Sequence, residues 1–430
     1  MDGIDGERGL RLYDTLRGLV VPFEPAGKPV KVYACGITPY DSTHLGHAFT
    51  YVMIDVLLRW LRRRGHELRY VQNLTDIDDS ILRAARERDE DWRELGLRWT
   101  VRYVEDMQIL NVLAPDLFPR ATEAIPEIVA SVERLLADGC AYEREGNVYF
   151  SVAAFSGYGR LSKLPREEMA EVSARRGADP NDPRKRDPLD FLLWQRQGED
   201  EPGWSSPWGS GRPGWHIECS TMAGRDLDGS VDLHAGGADL AYPHHESEIA
   251  QAECAGGSAP FARHWFHAAM VRHEGEKISK SLGNLVMVRD LLEKVSPDGL
   301  RLELLDHHYR SSWQFSADSL ARSEDLAGKL RSAVSEHERS DLGTEPWDPE
   351  PDRCAFARAL DDDLQTPRAV AVLSDLADRM LLASRGGRRL SGAGDLMRDL
   401  GGRVLGLRLT QPGPDEEVTR IWVGHRARFT

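Results

Sequence analysis

Apolar and polar positions alternate along the chain in blocks of two distinct periods. Val30 to Ala34 is an apolar-rich run of strand length, followed by a Gly/Pro turn and a long amphipathic stretch that reaches Arg64. This reads as a buried parallel strand, a loop and a helix. Glu67 to Gln72 reads as a second strand, set off by Gly65 on one side and by Asn73-Leu74-Thr75-Asp76 on the other, and a helix with breaks follows from Ile77 through Val112. Strand, helix and strand in that order predict the right-handed parallel crossover of a doubly wound nucleotide-binding sheet. Pro126 to Asp138 has helical spacing, and Ala141 to Val152 reads as a hairpin turned at Glu145-Gly146-Asn147.

Between Ser156 and Gly214 the chain is rich in Gly, Pro, Arg and Asp, apart from a short apolar break at Asp190 to Trp194. The nucleotide fold resumes at Trp215, with a strand at Val231 to His234, a helix from His244 to Cys254 and a strand near Trp265 to Val271. Beyond Leu285 the pattern is helical: Val288 to Val295, Asp298 to His308 and Ser316 to Glu336, then Cys354 to Ser384 and Leu390 to Leu407. The predicted organisation is a catalytic domain over 12–155 and 215–285, an insertion over 156–214, a helical region over 286–340, a linker over 341–352, a helical domain over 353–410 and a polar, frayed or loosely docked tail over 411–430.

Two histidines three positions apart, His44 and His47, open the first helix in the sequence Cys35-Gly36-Ile37-Thr38-Pro39-Tyr40-Asp41-Ser42-Thr43-His44-Leu45-Gly46-His47-Ala48. Unpaired backbone N–H groups at a helix start attract phosphate, and imidazoles there can donate to it as its charge shifts. Composition adds a constraint. The 430 residues carry 70 acidic against 55 basic side chains, a net charge of −15, which repels a polyanion unless a local basic face intervenes. No run approaches membrane-spanning length, and the charged, Gly-rich start lacks the apolar core of an export signal, so a cytoplasmic protein is expected, with no membrane partner. The five cysteines are odd in number and widely spaced, so they read as free thiols or metal ligands rather than a disulfide framework.

Cys35, Cys219 and the helix-opening run His244-His245-Glu246-Ser247-Glu248 lie in three distant segments. His244 and Glu248 are four apart, so one helical face presents both to a single ion. Spacing alone leaves two readings open, buried small hydrophobic cysteines or a zinc set of two thiolates, one imidazole and a carboxylate.

The stretch His44-Leu45-Gly46-His47 resembles the first signature of class I aminoacyl-tRNA synthetases, and Lys277-Ile278-Ser279-Lys280-Ser281 resembles their second, in the expected order. The surroundings of Cys35, Cys219 and His244 look like those of cysteinyl-tRNA synthetases and of their relatives, the mycothiol-pathway cysteine ligases. The resemblance covers residues 10–408. It implies a Rossmann-like α/β catalytic domain with an insertion and a helical C-terminal region, and one Zn²⁺ held by Cys35, Cys219 and His244 that grips the substrate thiolate. Glu248 stays open: it matches the synthetase's fourth ligand, which the ligase usually lacks. The implied reaction is attack of the cysteine carboxylate on ATP, used with Mg²⁺, to give cysteinyl-adenylate. His44, His47, Lys277 and Lys280 are then catalytic, while Cys35, Gly36, Ile37, Thr38, Thr50, Asn73, Leu74, Thr75, Trp215, Gly237, Ala238, Asp239 and Val271 surround the adenylate.

The acceptor divides the family. The loop from Gly36 to Ala48, Trp92 to Gly96, Gly283 to Val286 and Arg175-Arg176-Gly177-Ala178-Asp179-Pro180 look like the ligase, whose acceptor is the amine of glucosaminyl-inositol. Too few residues follow Leu407 for a basic anticodon-reading domain. Glu248 to Gln251, Leu282, Arg186 to Phe191 and Asp361 to Leu364 look like the synthetase, whose acceptor is tRNA. The expected protein is a monomeric mycothiol-type cysteine ligase; the alternatives are a shortened cysteinyl-tRNA synthetase and an inactive cysteine- or RNA-binding paralogue.

Overall fold

The computed structural model describes residues 9–254, 259–273, 275–277, 285–339, 341–409 and 416–428. A hairpin of β1 (Arg11–Asp14) and β2 (Leu19–Pro22) leads into β3 (Val30–Ile37), α1 (Leu45–Arg63) and β4 (Leu68–Leu74). β3 and β4 pair in parallel, as the crossover requires. Both run past their expected ends at Ala34 and Gln72. Pairing shifts between Ala34↔Gln72 and Ile37↔Leu74, so Cys35 and Gly36 together stand opposite Asn73, a β-bulge. The bulge carries the strand into what sequence alone reads as a turn.

The long segment after β4 breaks into α2 (Asp79–Arg88) and α3 (Trp92–Ile109), with Asp89 in the left-handed region at φ 53° and Asp78 and Asp91 capping the two starts. Next come α4 (Ile125–Ala137), β5 (Ala141–Arg144), β6 (Asn147–Phe150), α5 (Arg166–Arg175), β7 (Phe191–Arg196) and β8 (Gly211–Pro213). β5, β6, β7 and β8 form one antiparallel sheet in that order. It joins the hairpin to strands from the expected insertion and so crosses the boundary placed at residue 155.

The second half supplies α6 (Trp215–Asp226), β9 (Val231–Gly237), α7 (Glu246–Cys254), β10 (Ala262–Ala268), β11 (Val271–His273) and β12 (Glu276–Lys277). The central sheet has the order β10-β9-β3-β4 and all three pairings are parallel. α1, with 14 buried residues from Leu45 to Leu61, packs on this sheet.

The helical region holds α8 (Val288–Leu292), α9 (Pro297–Leu305), the short strand β13 (Trp313–Gln314) and α10 (Ala317–His337). β14 (Gly343–Glu345) and the start of α11 (Glu350–Asp361) occupy the expected linker. The single helix expected over 354–384 is two: α11 ends, Asp363 and Leu364 take φ of 59° and 51°, and α12 (Thr366–Arg385) begins. β15 (Arg388–Leu390), paired with β14, and α13 (Ala393–Met397) follow. Over its described residues, 416–428, the tail is docked rather than frayed. Its helix α14 (Glu416–Arg426) buries Trp422, whose indole N–H donates to the Val112 carbonyl at 2.9 Å, and His425, whose ring N–H donates to the Pro115 carbonyl at 2.7 Å.

One buried ion network ties these regions together. Asp55 on α1 accepts from Arg59 at 2.9 Å, from the Leu113 amide at 2.8 Å and from Arg301 on α9. Arg301 also donates to the Leu110 carbonyl at 2.7 Å and to the Leu405 carbonyl. The expectation of free thiols fails for one pair: Cys140 and Cys254 form a disulfide that joins the start of β5 to the end of α7. Among the described residues, no helix is long and apolar enough to cross a membrane.

Candidate active site and metal centre

The C-terminal ends of β3, β4 and β9 open into a cavity of about 810 Å³, the crevice where parallel α/β sheets bind ligands. Its wall includes Cys35, Gly36, Ile37, Thr38, His44, His47, Thr50, Thr75, Trp215, Cys219, Gly237, Asp239, His244 and Val271. Most of the residues expected around the adenylate are thereby brought together. Asn73, Leu74 and Ala238 do not line it. Asn73 is fully buried beneath the wall, where its side-chain oxygen accepts from the Gly36 amide at 2.8 Å and its amide donates to Thr75 Oγ1 at 3.2 Å, while Leu74 belongs to the core.

Three elements deliver the candidate metal ligands. The bulge in β3 presents Cys35, the second turn of α6 presents Cys219, and a kinked turn over residues 241–245 feeds His244 into α7, which presents Glu248 one turn later. The ligand atoms of Cys35, Cys219, His244 and Glu248 all lie within 4.8 Å of one another, and all four residues are buried. Glu248 Oε1 is 3.0 Å from His244 Nε2 and accepts from the Cys35 thiol at 3.3 Å. Trp215 stacks on the His244 ring at 4.4 Å, and His216 Nδ1 lies 3.0 Å from His244 Nδ1, which fixes the imidazole with Nε2 toward the cluster.

Charge within the cluster is shared. Burial raises Cys35 well above an ordinary thiol. In Cys219 the same burial is outweighed by its hydrogen bond to Cys35 and by His244, which bring it down to about 6. Burial opposes charging of His244, yet Cys219 and Glu248 lift it to about 10; burial also opposes charging of Glu248, which His234 and His244 nevertheless hold well below the usual carboxylate range. Two thiol groups, an imidazole and a carboxylate, closely packed and excluded from water, suit a soft divalent metal.

Sequence reasoning missed His234 and His245. His234 lies midway along β9 and its Nε2 sits 2.9 Å from Glu248 Oε2; with Cys35, His245 and Glu248 it forms a second group of possible ligands within 4.8 Å, sharing two members with the first. His245 continues the chain of imidazoles to His267 at 2.8 Å, and His267 reaches Thr15 at 2.7 Å. The available signal was a histidine where the apolar run from Val231 stops in the sequence. Glu218 was missed as well: it lines the cavity, is 1% exposed, and its Oε2 has no hydrogen-bond partner. Burial beside Cys219, Asp78 and Asp76 pushes its carboxyl up.

His44 caps α1, its Nδ1 accepting from the His47 amide at 3.3 Å, and the two rings stack at 3.7 Å. A ring nitrogen that accepts leaves the other as the N–H donor of the neutral ring. Burial, with His44 beside it, keeps His47 neutral by lowering it well below the ordinary imidazole value. The backbone of Lys277 pairs with Arg272, next to cavity-lining Val271, and the chain returns at Val286, whose carbonyl accepts from the Leu45 amide at 2.8 Å beside His44. Lys280 lies outside the described residues, as do Ile278, Ser279, Ser281, Leu282, Gly283 and Asn284.

Residues 22–325 match the model of the tRNA synthetases class I (C) catalytic domain, and residues 355–410 match the DALR domain. The L-cysteine:1D-myo-inositol 2-amino-2-deoxy-alpha-D-glucopyranoside ligase of Streptosporangium roseum is 43% identical over 402 residues, spanning 93% of this chain and 96% of that protein. Its counterpart in Thermobifida fusca is 42% identical over 93% of this chain and 95% of its own length. The cysteine–tRNA ligase of Parvibaculum lavamentivorans is 46% identical over 86% of this chain and 78% of its own length. Among solved structures, Mycobacterium tuberculosis methionyl-tRNA synthetase in complex with methionyl-adenylate aligns with a TM-score of 0.63 and 17% identity over 92% of this chain and 93% of that one, a likeness of fold.

Proposed function

The chain belongs to the class I (C) tRNA synthetase catalytic-domain family, and from that premise we propose that it is an AMP-forming ligase that activates cysteine with ATP and passes it to the amine of glucosaminyl-inositol. The observation that carries this reading is the buried cluster of Cys35, Cys219, His244 and Glu248, whose first three members line the same cavity as the paired histidines of α1. These four would hold Zn²⁺, which when bound supplies a soft site that takes a thiolate and rejects a hydroxyl, discrimination that a shaped pocket alone limits to about 10²-fold.

In the first step the cysteine carboxylate oxygen bonds to the α-phosphorus of ATP and pyrophosphate leaves. His44 and His47, neutral and held against each other at the helix start, donate N–H to phosphate oxygens as negative charge grows there. Lys277 and Lys280, by their match to the second signature, serve the same charge, and Asp239 with Gly237 and Val271 forms the nucleotide side of the wall. In the second step the acceptor nitrogen bonds to the cysteinyl carbonyl carbon, AMP leaves with the bonding pair, and one N–H proton passes to water. The acceptor assignment rests on the likeness of the loop over 36–48 and the segment Arg175 to Pro180 to the ligase, and on the two ligases matched over nearly their whole length. We read the protein as a monomer working in the cytoplasm.

A second reading, transfer to the 3′-terminal ribose hydroxyl of tRNA, is favoured by Glu248, whose seat inside the cluster matches the synthetase's four-ligand set. Labelled cysteine and ATP offered with either glucosaminyl-inositol or total tRNA separate the two. The amino-sugar is expected to become labelled; label on tRNA alone overturns the acceptor assignment while leaving cysteine activation intact.

A further inference from the structure

We infer that Glu218 receives the α-ammonium group of the amino-acid substrate and so selects for an amine beside the thiol. This rests on the cysteine-activating reading above. Glu218 on α6 is buried, faces the cavity and has an oxygen with no partner, whereas the carboxylates beside it are already engaged. Asp76 accepts from the Thr122 amide at 2.9 Å and hydroxyl at 2.6 Å, Asp78 caps α2 through the Ser80 amide at 2.7 Å, and Arg212 turns one guanidinium nitrogen to Asp79 while its Nε makes no hydrogen bond, to Glu218 or to any other group. A buried carboxyl with an oxygen left unpaired is costly, and a cation or strong N–H donor entering from the cavity completes it and favours its charged form.

Topology says which one. In the order β10-β9-β3-β4, the nucleotide side of the wall, with Gly237, Asp239 and Val271, lies on the β9 flank of β3. The opposite flank is β4, whose following loop brings Thr75 and Asp78 to the wall; α6 packs against β4 and sets Glu218 beside them. An amino acid with its sulfur at Cys35 and Cys219, and its carboxylate turned toward the nucleotide, directs the third polar substituent of its α-carbon toward the β4 flank. That substituent is the ammonium, and Glu218 is the unpaired acceptor there.

The test compares ligands with and without the amine. Binding of a nonhydrolysable cysteinyl-sulfamoyl-adenosine and of its analogue lacking the α-amino group is measured by calorimetry on metal-loaded wild type, Glu218→Gln and Glu218→Asp. Wild type is expected to prefer the amine-bearing ligand, and Glu218→Gln to lose about tenfold to a hundredfold of that preference while binding the des-amino analogue as before, the range for one hydrogen bond to a charged group. Glu218→Asp, which keeps the charge, is expected to retain part of the preference, and it carries the test if the Gln variant does not fold. Pyrophosphate exchange driven by cysteine against 3-mercaptopropionate is expected to move in parallel. An unchanged preference in Glu218→Gln, or an effect confined to the transfer step, overturns the assignment. Absence of cysteine-dependent exchange in wild type overturns instead the reading on which it rests.

Discussion

Two buried networks of charged side chains are completed in opposite ways. Around Asp55 the protein supplies both signs: Arg59 and Arg301 meet the carboxylate, and their remaining N–H groups go to the carbonyls of Leu110, Asn111 and Leu405. Around Cys35 it supplies an excess of electron-pair donors, two thiols and a carboxylate against imidazoles, and leaves His234 Nδ1 and His245 Nε2 without partners. The first network is closed and holds α1, α9 and the chain near Leu405 together. The second is short of positive charge, and a buried site in that condition is one prepared for a cation. The difference separates a group that maintains the fold from one that serves chemistry, although both are equally hidden from water.

Removing one member from each is the strongest way to break that contrast. Cys219→Ala is expected to lose bound metal and to lower cysteine-dependent pyrophosphate exchange by about a thousandfold or more, the loss that follows when on the order of 4 kcal/mol of transition-state stabilisation goes. Circular dichroism should show the fold intact; exchange persisting in metal-free protein would contradict the site. Arg301→Met is expected to do the reverse, costing about 3–5 kcal/mol in urea denaturation because Asp55 loses a buried partner, with exchange by the folded fraction unaltered. His234→Asn sharpens the picture further. It weakens the hold on Glu248 without removing a member of the Cys35, Cys219, His244 and Glu248 group, so chelator competition should report metal affinity reduced about 10–100-fold.

The smallest expected effect is a pH limb. Burial opposes ionisation of Asp55, but Arg59 and Arg301 lower its carboxyl below the ordinary value. The folded state therefore binds fewer protons at acid pH than the unfolded chain, so this contribution to stability is complete above the ordinary value of about 4 and fades as pH falls through the native one. Urea midpoints measured down that range should fall less steeply in Arg301→Met, where Asp55 is held down less.

Local pattern carried the strand, loop and helix from Val30 to Arg64, because period and turn chemistry there agree, and resemblance then joined Cys35, Cys219 and His244 across distant segments. Other features depended on what the folded chain brings together. Cys140 and Cys254 are 114 residues apart, and only the folded chain makes them neighbours. The break between α11 and α12 is set by Asp363, whose carboxylate accepts from the Tyr13 amide at 2.8 Å and from the Tyr309 hydroxyl at 2.6 Å, contacts from far along the chain. In α14 the apolar residues are sparse, and the anchoring role of Trp422 comes from Tyr103 and Phe118 on the receiving surface. His234 looked like the end of an apolar strand, and its chemical role needed Glu248 beside it.

The bulge at the end of β3 gives Gly36 an unusual burden. A methyl group placed on its α-carbon would stand 1.6 Å from the Asn73 carbonyl oxygen, so backbone has to move before any side chain can be accommodated. The strand that would move is the one aiming the Cys35 sulfur. A change at Gly36 would thus disarm the enzyme without altering a single metal ligand, by moving the backbone on which the geometry of the thiol depends.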